Sequence, residues 1–347
     1  MKLGPIELQN DLILAPLMDV TTPSFRNLVC NCGGVGMVIT PMIFVQQVVM
    51  APKTILPHME HISDQRPSAI QLVASGKNKD HIIKALDILS CYEFDMIDIN
   101  AGCPAPHTMR SGGGGGYLRE YHSTKKLDRL ENVVRTCQKY SSMPVSVKTR
   151  LGFEQETDIL DISKQIESWG ITYLTLHGRT VKQKYQGEVN LDVIRKVKDQ
   201  LSIPVVGNGD VKNYLTYKAM KEQTGVDGVM IGRAAMADPF VFAKIEVGKA
   251  AEKSKQPLPL HKEHMTLKQI RKLLEDNDNF IHKSSKFWNT ERFRSAEMRR
   301  LAIWFIKGIP GYRRVREHVS KIHDLNILKN YIFGAEIERD FIMGMER

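Results

Sequence analysis

From residue 12 to residue 233, short apolar runs alternate with longer stretches in which apolar residues recur every three or four positions. The runs are Ile13–Leu17, Met37–Pro41, Ala69–Val73, Met96–Asn100, Val145–Lys148, Tyr173–His177, Pro204–Asn208 and Gly228–Gly232, each of strand length. Between most of them lie helical patterns, among them Lys79–Ser90, Lys126–Tyr140, Asp158–Trp169, Leu191–Leu201 and Tyr214–Gln223. Eight strands alternating with helices predict an α/β protein built as a parallel (β/α)8 TIM barrel. The competing arrangement is an open doubly wound sheet. The count of eight argues against it, as does the absence of a GxGxxG after the first strand. The stretch from about Pro41 to Pro67 reads as a long irregular loop.

The pattern changes after residue 250. Residues 251–260, AEKSKQPLPL, are small, charged and proline-punctuated and read as a linker. Beyond it only helical periodicity remains, in Met265–Glu275, His282–Phe293, Ser295–Ile306 and Tyr312–His323. The expected organisation is a barrel domain over 1–250 and an all-helical C-terminal domain over 261–347. Charge sharpens that division. The net formal charge is +10, and from Lys244 onward there are 22 Lys and Arg against 14 Asp and Glu, or +8, leaving 27 against 25, or +2, for everything before. A base excess gathered in the last third favours a polyanionic partner, although a merely solvated basic surface fits the charge equally well.

Composition adds limits. With 42% hydrophobic and 25% charged residues, the chain has an ordinary globular balance, and no apolar run approaches the ~18–20 residues of a membrane span. The first twenty residues lack a signal-peptide layout, which places the expected location in the cytoplasm. Five cysteines, Cys30, Cys32, Cys91, Cys103 and Cys137, do not form a disulfide framework, and neither Cys30-x-Cys32 nor His58-x-x-His61 has a second pair at zinc spacing.

The candidate strands share one further feature: they begin apolar and end on Gln71, Asn100, Lys148, His177, Asn208 and Gly232-Arg233. In a barrel these ends converge on one face, where active sites are built. Any one of them is explained as a satisfied core polar group; six in register are not. After the fourth strand comes Asn100-Ala-Gly-Cys103-Pro, then Ser111 followed by five glycines, Gly112–Gly116. Such a loop can present the thiol at the barrel mouth and close over a substrate, or simply hold a small structural Cys. The glycine run ends in no Gly-Lys-Ser/Thr and is not a P-loop. Lys148 ends the fifth strand, where a cation can stabilise negative charge, or lies on the surface. His177-Gly-Arg179-Thr180 closes the sixth, with Tyr185-x-Gly187 beyond. Gly207-Asn208-Gly209-Asp210 and Gly232-Arg233 follow the last two strands, the usual phosphate site of this fold, and imply a phosphorylated ligand with FMN as the natural candidate.

Taken together, Pro16-Leu17-Met18-Asp-Val-Thr21, Ala69-Ile-Gln71-Leu, Asp98-Ile-Asn100-Ala-Gly-Cys103-Pro, Lys148-x-Arg150-x-Gly152, His177-Gly-Arg-Thr180, Gly207-Asn-Gly-Asp210 and Gly232-Arg233-Ala-Ala resemble, in order, the motifs of tRNA-dihydrouridine synthases. The segment Glu297–Gly311 is similar to the C-terminal tRNA-binding signature of that family. The chain departs from it at Leu301, where His is common, at Val189-Asn190-Leu191, where many members carry Trp, and in its longer glycine run. The resemblance implies FMN with its phosphate on the Asn208, Gly209, Asp210, Gly232 and Arg233 loops. Gln71, Lys148 and His177 would be at its polar atoms, with Pro16, Leu17 and Met18 on its ring. It implies NADPH as electron donor, tRNA as partner and Cys103 as general acid to the uracil C5. A thiol suits that role because its ordinary pKa of ~8.5 leaves it mostly protonated at neutral pH. Asn100 and Tyr185 would read the uracil edge, and Arg150, Arg299, Lys307 and Arg314 would contact the substrate. No membrane association and a monomeric state are expected. Two other classes fit part of the pattern: a small-molecule FMN reductase of the dihydroorotate dehydrogenase type, which leaves the basic tail unexplained, and a catalytically silent RNA-binding protein, which leaves the strand ends unexplained.

Overall fold

The computed structural model describes residues 1–60, 67–258, 264–284 and 287–345. Eight parallel strands close on themselves: β1 (Leu12–Leu14), β2 (Met37–Ile39), β3 (Ser68–Val73), β4 (Met96–Ala101), β5 (Val145–Arg150), β6 (Leu174–His177), β7 (Val205–Asn208) and β8 (Gly228–Ile231). β8 pairs with β1 through Met230 and Ile13, and β2 pairs with β3 through Ile39 and Ala69, which closes the ring. The strands are buried almost throughout, as expected for a parallel sheet that helices cover on the outside and side chains fill on the inside. The predicted (β/α)8 barrel is therefore the observed fold.

Local chemistry places the outer helices. Asn78, Asn190 and Asn213 each accept a hydrogen bond from a main-chain N–H of the first turn they precede, so the helices start where a side chain satisfies an otherwise orphaned donor. Asn213 and Thr216 do so reciprocally. The helix Tyr214–Thr224 stops at Gly225, whose φ of 67° is the left-handed conformation that glycine adopts without penalty.

The sequence pattern missed a two-stranded hairpin, Lys2–Leu3 with Ile6–Glu7, ahead of β1. Its Leu3 and the following Leu8 pack with Ile13, Met37, Ala69, Met96 and Tyr173. These sit at the amino-terminal ends of the strands, so the hairpin plugs the bottom of the barrel. At Gly4 a Cβ would overlap the Thr172 methyl, which is why the turn carries none. The long 41–67 stretch holds a short strand, Ile43–Phe44, and helical turns over Val45–Met50, Pro52–Ile55 and Leu56–Met59. His61, half of the isolated histidine pair, lies outside the described residues.

The chain partitions into two compact units, one of residues 1–26 and 34–232 and one of residues 27–33 and 233–347. The second unit is helical. Val241–Lys253 runs as a helix into the segment read as a linker, and residues 259 and 260 of that segment lie outside the described residues. The expected helix His282–Phe293 is instead the end of one helix, Leu267–Ser284, and the start of another, Glu291–Phe305. The break follows from Thr290, whose hydroxyl accepts from the Phe293 N–H and so caps the second helix; residues 285 and 286 are not described. The apolar positions that recur along these helices, Ile270, Leu274, Leu301, Phe305, Val315, Val319, Leu328 and Ile332, are all buried. Three acidic residues among the described ones are buried with them, and one, Glu297, pairs with Arg300. Asp278 is held by Arg294 and Lys329, and Asp340 by Arg314, His318 and Tyr331.

Candidate active site

The polar strand ends meet at the carboxyl-terminal mouth of the barrel because the register aligns them. Gln71 lies opposite Asp98, Asn100 opposite Lys148, and His177 opposite both Arg150 and Asn208. A continuous hydrogen-bond chain runs across three strands. Ser146 Oγ donates to Asp98 Oδ1 at 2.7 Å, Gln71 Nε2 donates to Asp98 Oδ2 at 2.7 Å, and Asn100 Nδ2 donates to Gln71 Oε1 at 2.9 Å. Asn100 Oδ1 then accepts from the main-chain N–H groups of Gly102 at 3.2 Å and Cys103 at 3.0 Å. This is an Asx turn, and it fixes the backbone that carries the thiol. Asn100 was expected to read a substrate edge. Its carbonyl oxygen accepts from within the loop, so it also braces Cys103.

Asp98 and Ser146 were not singled out as functional in the sequence, although a carboxylate two residues before Asn100 in an apolar strand is a legible signal. Asp98 is fully buried. Burial pushes its pKa up, against the hydrogen bonds of Gln71 and Ser146 and the charge of Lys148. Gln71 is likewise fully buried, with both ends of its amide in the chain.

Lys148 Nζ donates to Asn208 Oδ1 at 2.9 Å, and Asn208 Nδ2 donates to the Met230 carbonyl at 2.9 Å, which ties β5 to β7 and β8. Loss of water pushes the Lys148 pKa down to about 8, and the neighbouring Arg150 charge works in the same direction. A cation held against its own desolvation, with a neutral amide as hydrogen-bond partner, is a ready site for an anionic or carbonyl-rich ligand.

Behind it, buried Arg179 organises the phosphate-type loop. Its guanidinium pairs with the Asp210 carboxylate, at 3.1 Å through Nη1, and donates to the carbonyls of Gln186 at 3.2 Å and Gly187 at 2.6 Å. Asp210 was expected to hold a cofactor. With its carboxylate committed to Arg179, the groups left for an anion are the main-chain amides of the Gly209-Asp210 turn. That turn needs glycine: Gly209 has a φ of 129°, and a Cβ would sit 2.7 Å from Val189 and 3.1 Å from the His177 ring. Gly232 follows β8 beside Ala15 and Leu17, and Arg233 opens the next helix, exposed, in the second unit. Pro16, Leu17 and Met18 form the turn after β1, closed by Leu17 and Thr21 and leaving Met18 exposed.

Cys103 is partly exposed on the loop after β4. The glycine run, suited by sequence to a closing loop, is close-packed beneath the cysteine. A Cβ on Gly113 would lie 2.5 Å from the Ala74 carbonyl, on Gly114 2.6 Å from Thr108, and on Gly115 2.9 Å from the Cys103 carbonyl oxygen, which already accepts from the Gly115 N–H at 2.9 Å. The glycines are there because neighbouring backbone and, at Gly114, the Thr108 methyl leave no room for a Cβ. Arg150, expected at the substrate, is buried and donates to the carbonyls of Thr180 and Lys184; its guanidinium lies over the Tyr185 ring, 5.6 Å from the centroid. Tyr185 itself is exposed.

In the helical unit Arg314 is bound to Asp340 at 2.6 Å, and Arg299 donates to the Ile322 carbonyl at 2.9 Å and meets His323. Both were expected to grip substrate; both are engaged in holding helices together. Lys307, Arg313 and Arg316 are exposed.

A family profile described as "Dihydrouridine synthase (Dus)" matches residues 13–333. The chain is 32% identical over 247 residues to "tRNA-dihydrouridine synthase B" of Pasteurella multocida, covering 71% of this chain and 72% of that protein. It is 30% identical over 345 residues to "Probable tRNA-dihydrouridine synthase" of Rickettsia prowazekii, covering 99% and 98%. Among solved structures, histamine dehydrogenase from Rhizobium sp. 4-9 superimposes with a TM-score of 0.58 at 13% identity, over 80% of this chain and 50% of the other. Morphinone reductase does so at 0.53 and 12%, over 72% and 89%. At those identities the likeness is one of fold.

Proposed function

The chain belongs to the dihydrouridine synthase family, and from that membership and the site we propose that it reduces the C5–C6 double bond of uridine in tRNA, with FMN as resident cofactor and NADPH as electron donor. One observation carries the reading: a cysteine on a braced loop and a desolvated lysine stand at the same barrel mouth as a glycine-dependent phosphate-type turn.

The residues present suit FMN. Lys148 would gain an anionic or carbonyl acceptor beside Asn208, the amides of Gly209, Asp210 and Gly232 would face the phosphate, and Met18 with Pro16 and Leu17 would offer an apolar surface to the ring. When bound, FMN supplies the chemistry of accepting electrons from a nicotinamide and delivering hydride to the uracil C6. The protein's own part is to present the base and to protonate it. Cys103 holds a proton at Sγ and gives it to C5. Tyr185 offers an exposed ring, backed by Arg150, at the entrance. The target base must leave the tRNA stack to reach the mouth, which costs a few kcal/mol, and basic groups of the helical unit offset that through phosphates.

Two expected results test the cofactor assignment. Heat-released cofactor from the purified protein has the mass of FMN at one per chain; FAD, or no flavin after reconstitution, overturns it. The second is a pH dependence. Lys148 attracts an anion only while protonated, so FMN affinity is flat below pH about 8 and weakens above it, by up to about tenfold per pH unit until the liganded lysine itself deprotonates. Flavin fluorescence titrations read this directly. Lys148→Gln binds more weakly at neutral pH and loses the slope; a slope that survives in that variant removes Lys148 from the cofactor site.

A further inference from the structure

One hydroxyl on the Cys103 loop is not accounted for by bracing or by close packing. Thr108 lies five residues on, in the short helix Pro106–Arg110, and is fully buried. Its Oγ1 is 3.4 Å from Cys103 Sγ, the thiol donating. The contact is held by packing on the other side. Thr108 Cγ2 fills the space left by the missing side chain of Gly114, where a Cβ would sit 2.6 Å from that methyl and 3.1 Å from Cys103 Cβ. Gly114 also needs its φ of 56°, so the gap is part of the backbone design. A β-branched side chain has few rotamers, and with the methyl seated there the hydroxyl is left facing sulfur. Valine would fill the same volume without placing a hydroxyl in the interior, where it costs free energy unless partnered.

We propose that Thr108 is the positioning residue of the acid, holding the Cys103 proton in place before transfer and stabilising the sulfur after it. A hydroxyl can do both, because it accepts through oxygen and donates through hydrogen by rotating about its Cβ–Oγ1 bond. Before transfer it accepts from S–H, which fixes the direction of that bond. During transfer the S–H bond breaks, its electron pair stays on sulfur and the proton goes to C5. The C5–C6 π pair forms the new C5–H bond, while hydride from the reduced flavin forms C6–H. The hydroxyl then donates to the thiolate, an interaction with a charged acceptor and so stronger than the one it replaces. Solvent reprotonates the sulfur between turnovers.

The inference rests on the assignment of Cys103 as the acid, and the test separates the two. In the FMN-loaded protein without tRNA, iodoacetamide alkylation of the Cys103 peptide is followed by mass across pH. In Thr108→Val the profile moves to higher pH, since the thiolate loses a donor, and in Thr108→Ser it returns towards that of the unsubstituted protein. With tRNA, Thr108→Val lowers kcat about tenfold, the equivalent of one hydrogen bond, with little change in KM, and Thr108→Ser recovers most of it. Thr108→Ala repeats the alkylation test should valine fail to hold flavin. Alkylation profiles of Thr108→Val and Thr108→Ala that superimpose on that of the unsubstituted protein, or a Thr108→Ser variant as slow as Thr108→Val, overturn the proposal. Absence of tRNA reduction by the unsubstituted protein would instead sink the reading of Cys103, while the alkylation profile would still decide whether Thr108 governs its sulfur.

Discussion

Replacing Cys103 with alanine is expected to stop dihydrouridine formation while leaving NADPH oxidation by the flavin intact. The two half-reactions need different groups. Electron transfer from nicotinamide uses the cofactor and the residues that hold it, and Cys103 is none of these. Saturation of the uracil needs a proton at C5, and the thiol at the mouth is its proposed donor. Loss of a general acid typically costs ~10²–10⁴-fold, or about 3–5 kcal/mol of transition-state stabilisation. The fold should tolerate the change. The loop is held through the main-chain N–H of residue 103, donated to Asn100, and through its carbonyl, which accepts from Gly115, and alanine keeps both. Dihydrouridine in an unmodified tRNA transcript is counted by mass, and nicotinamide oxidation by absorbance. Near-normal dihydrouridine in Cys103→Ala would take the residue out of the mechanism. A parallel loss of NADPH oxidation would mean that the substitution had disturbed the flavin.

A second large effect is expected from reversing charge on the helical unit at Lys307, Arg313 and Arg316. The residues before Lys244 carry only +2 of the total +10, so sequence-independent attraction for RNA must come mainly from the tail. Each phosphate neutralised adds about −0.7 to −0.9 to the slope of log K against log salt, so losing three contacts makes the slope shallower by about 2–3. Binding to tRNA weakens most at low salt, and flavin reduction by NADPH is unchanged. Unaltered affinity and salt slope in the folded triple variant would mean that these groups only solvate the helices. Arg314 does not belong in that set. Burial tends to raise the Asp340 pKa, but hydrogen bonds from Arg314, His318 and Tyr331 outweigh it and hold the carboxyl below its ordinary range. The stability from that cluster is therefore full at neutral pH and is lost as pH falls below the usual carboxylate value. Arg314→Glu sets a second carboxylate against Asp340, and a lower melting temperature is expected before any effect on RNA. A variant that melts normally yet binds tRNA weakly would return Arg314 to the interface.

The sequence determined the barrel, because eight apolar runs separated by capped amphipathic helices admit few other closed arrangements, and every one of the eight strands was legible. It also determined which residue types end those strands, since a polar residue closing a buried run is visible in one dimension. What those residues do to one another was decided by strand register. The alignment of Gln71 with Asp98 and of Asn100 with Lys148 joins groups 27 and 48 positions apart, and no local pattern carries that information. Asn100, read as a substrate contact, also braces a loop. Asp210 and Arg179 looked like separate motif letters and form one ion pair. Arg299 and Arg314, read as phosphate contacts, also hold helices together. The five glycines suggested mobility from composition, whereas their reason is steric: only the folded chain brings Ala74, Thr108 and the Cys103 carbonyl close enough to exclude a Cβ. Thr108 carried no signal at all in the sequence, because its meaning is a 3.4 Å approach to sulfur that exists once Gly114 has turned the chain back beneath the thiol.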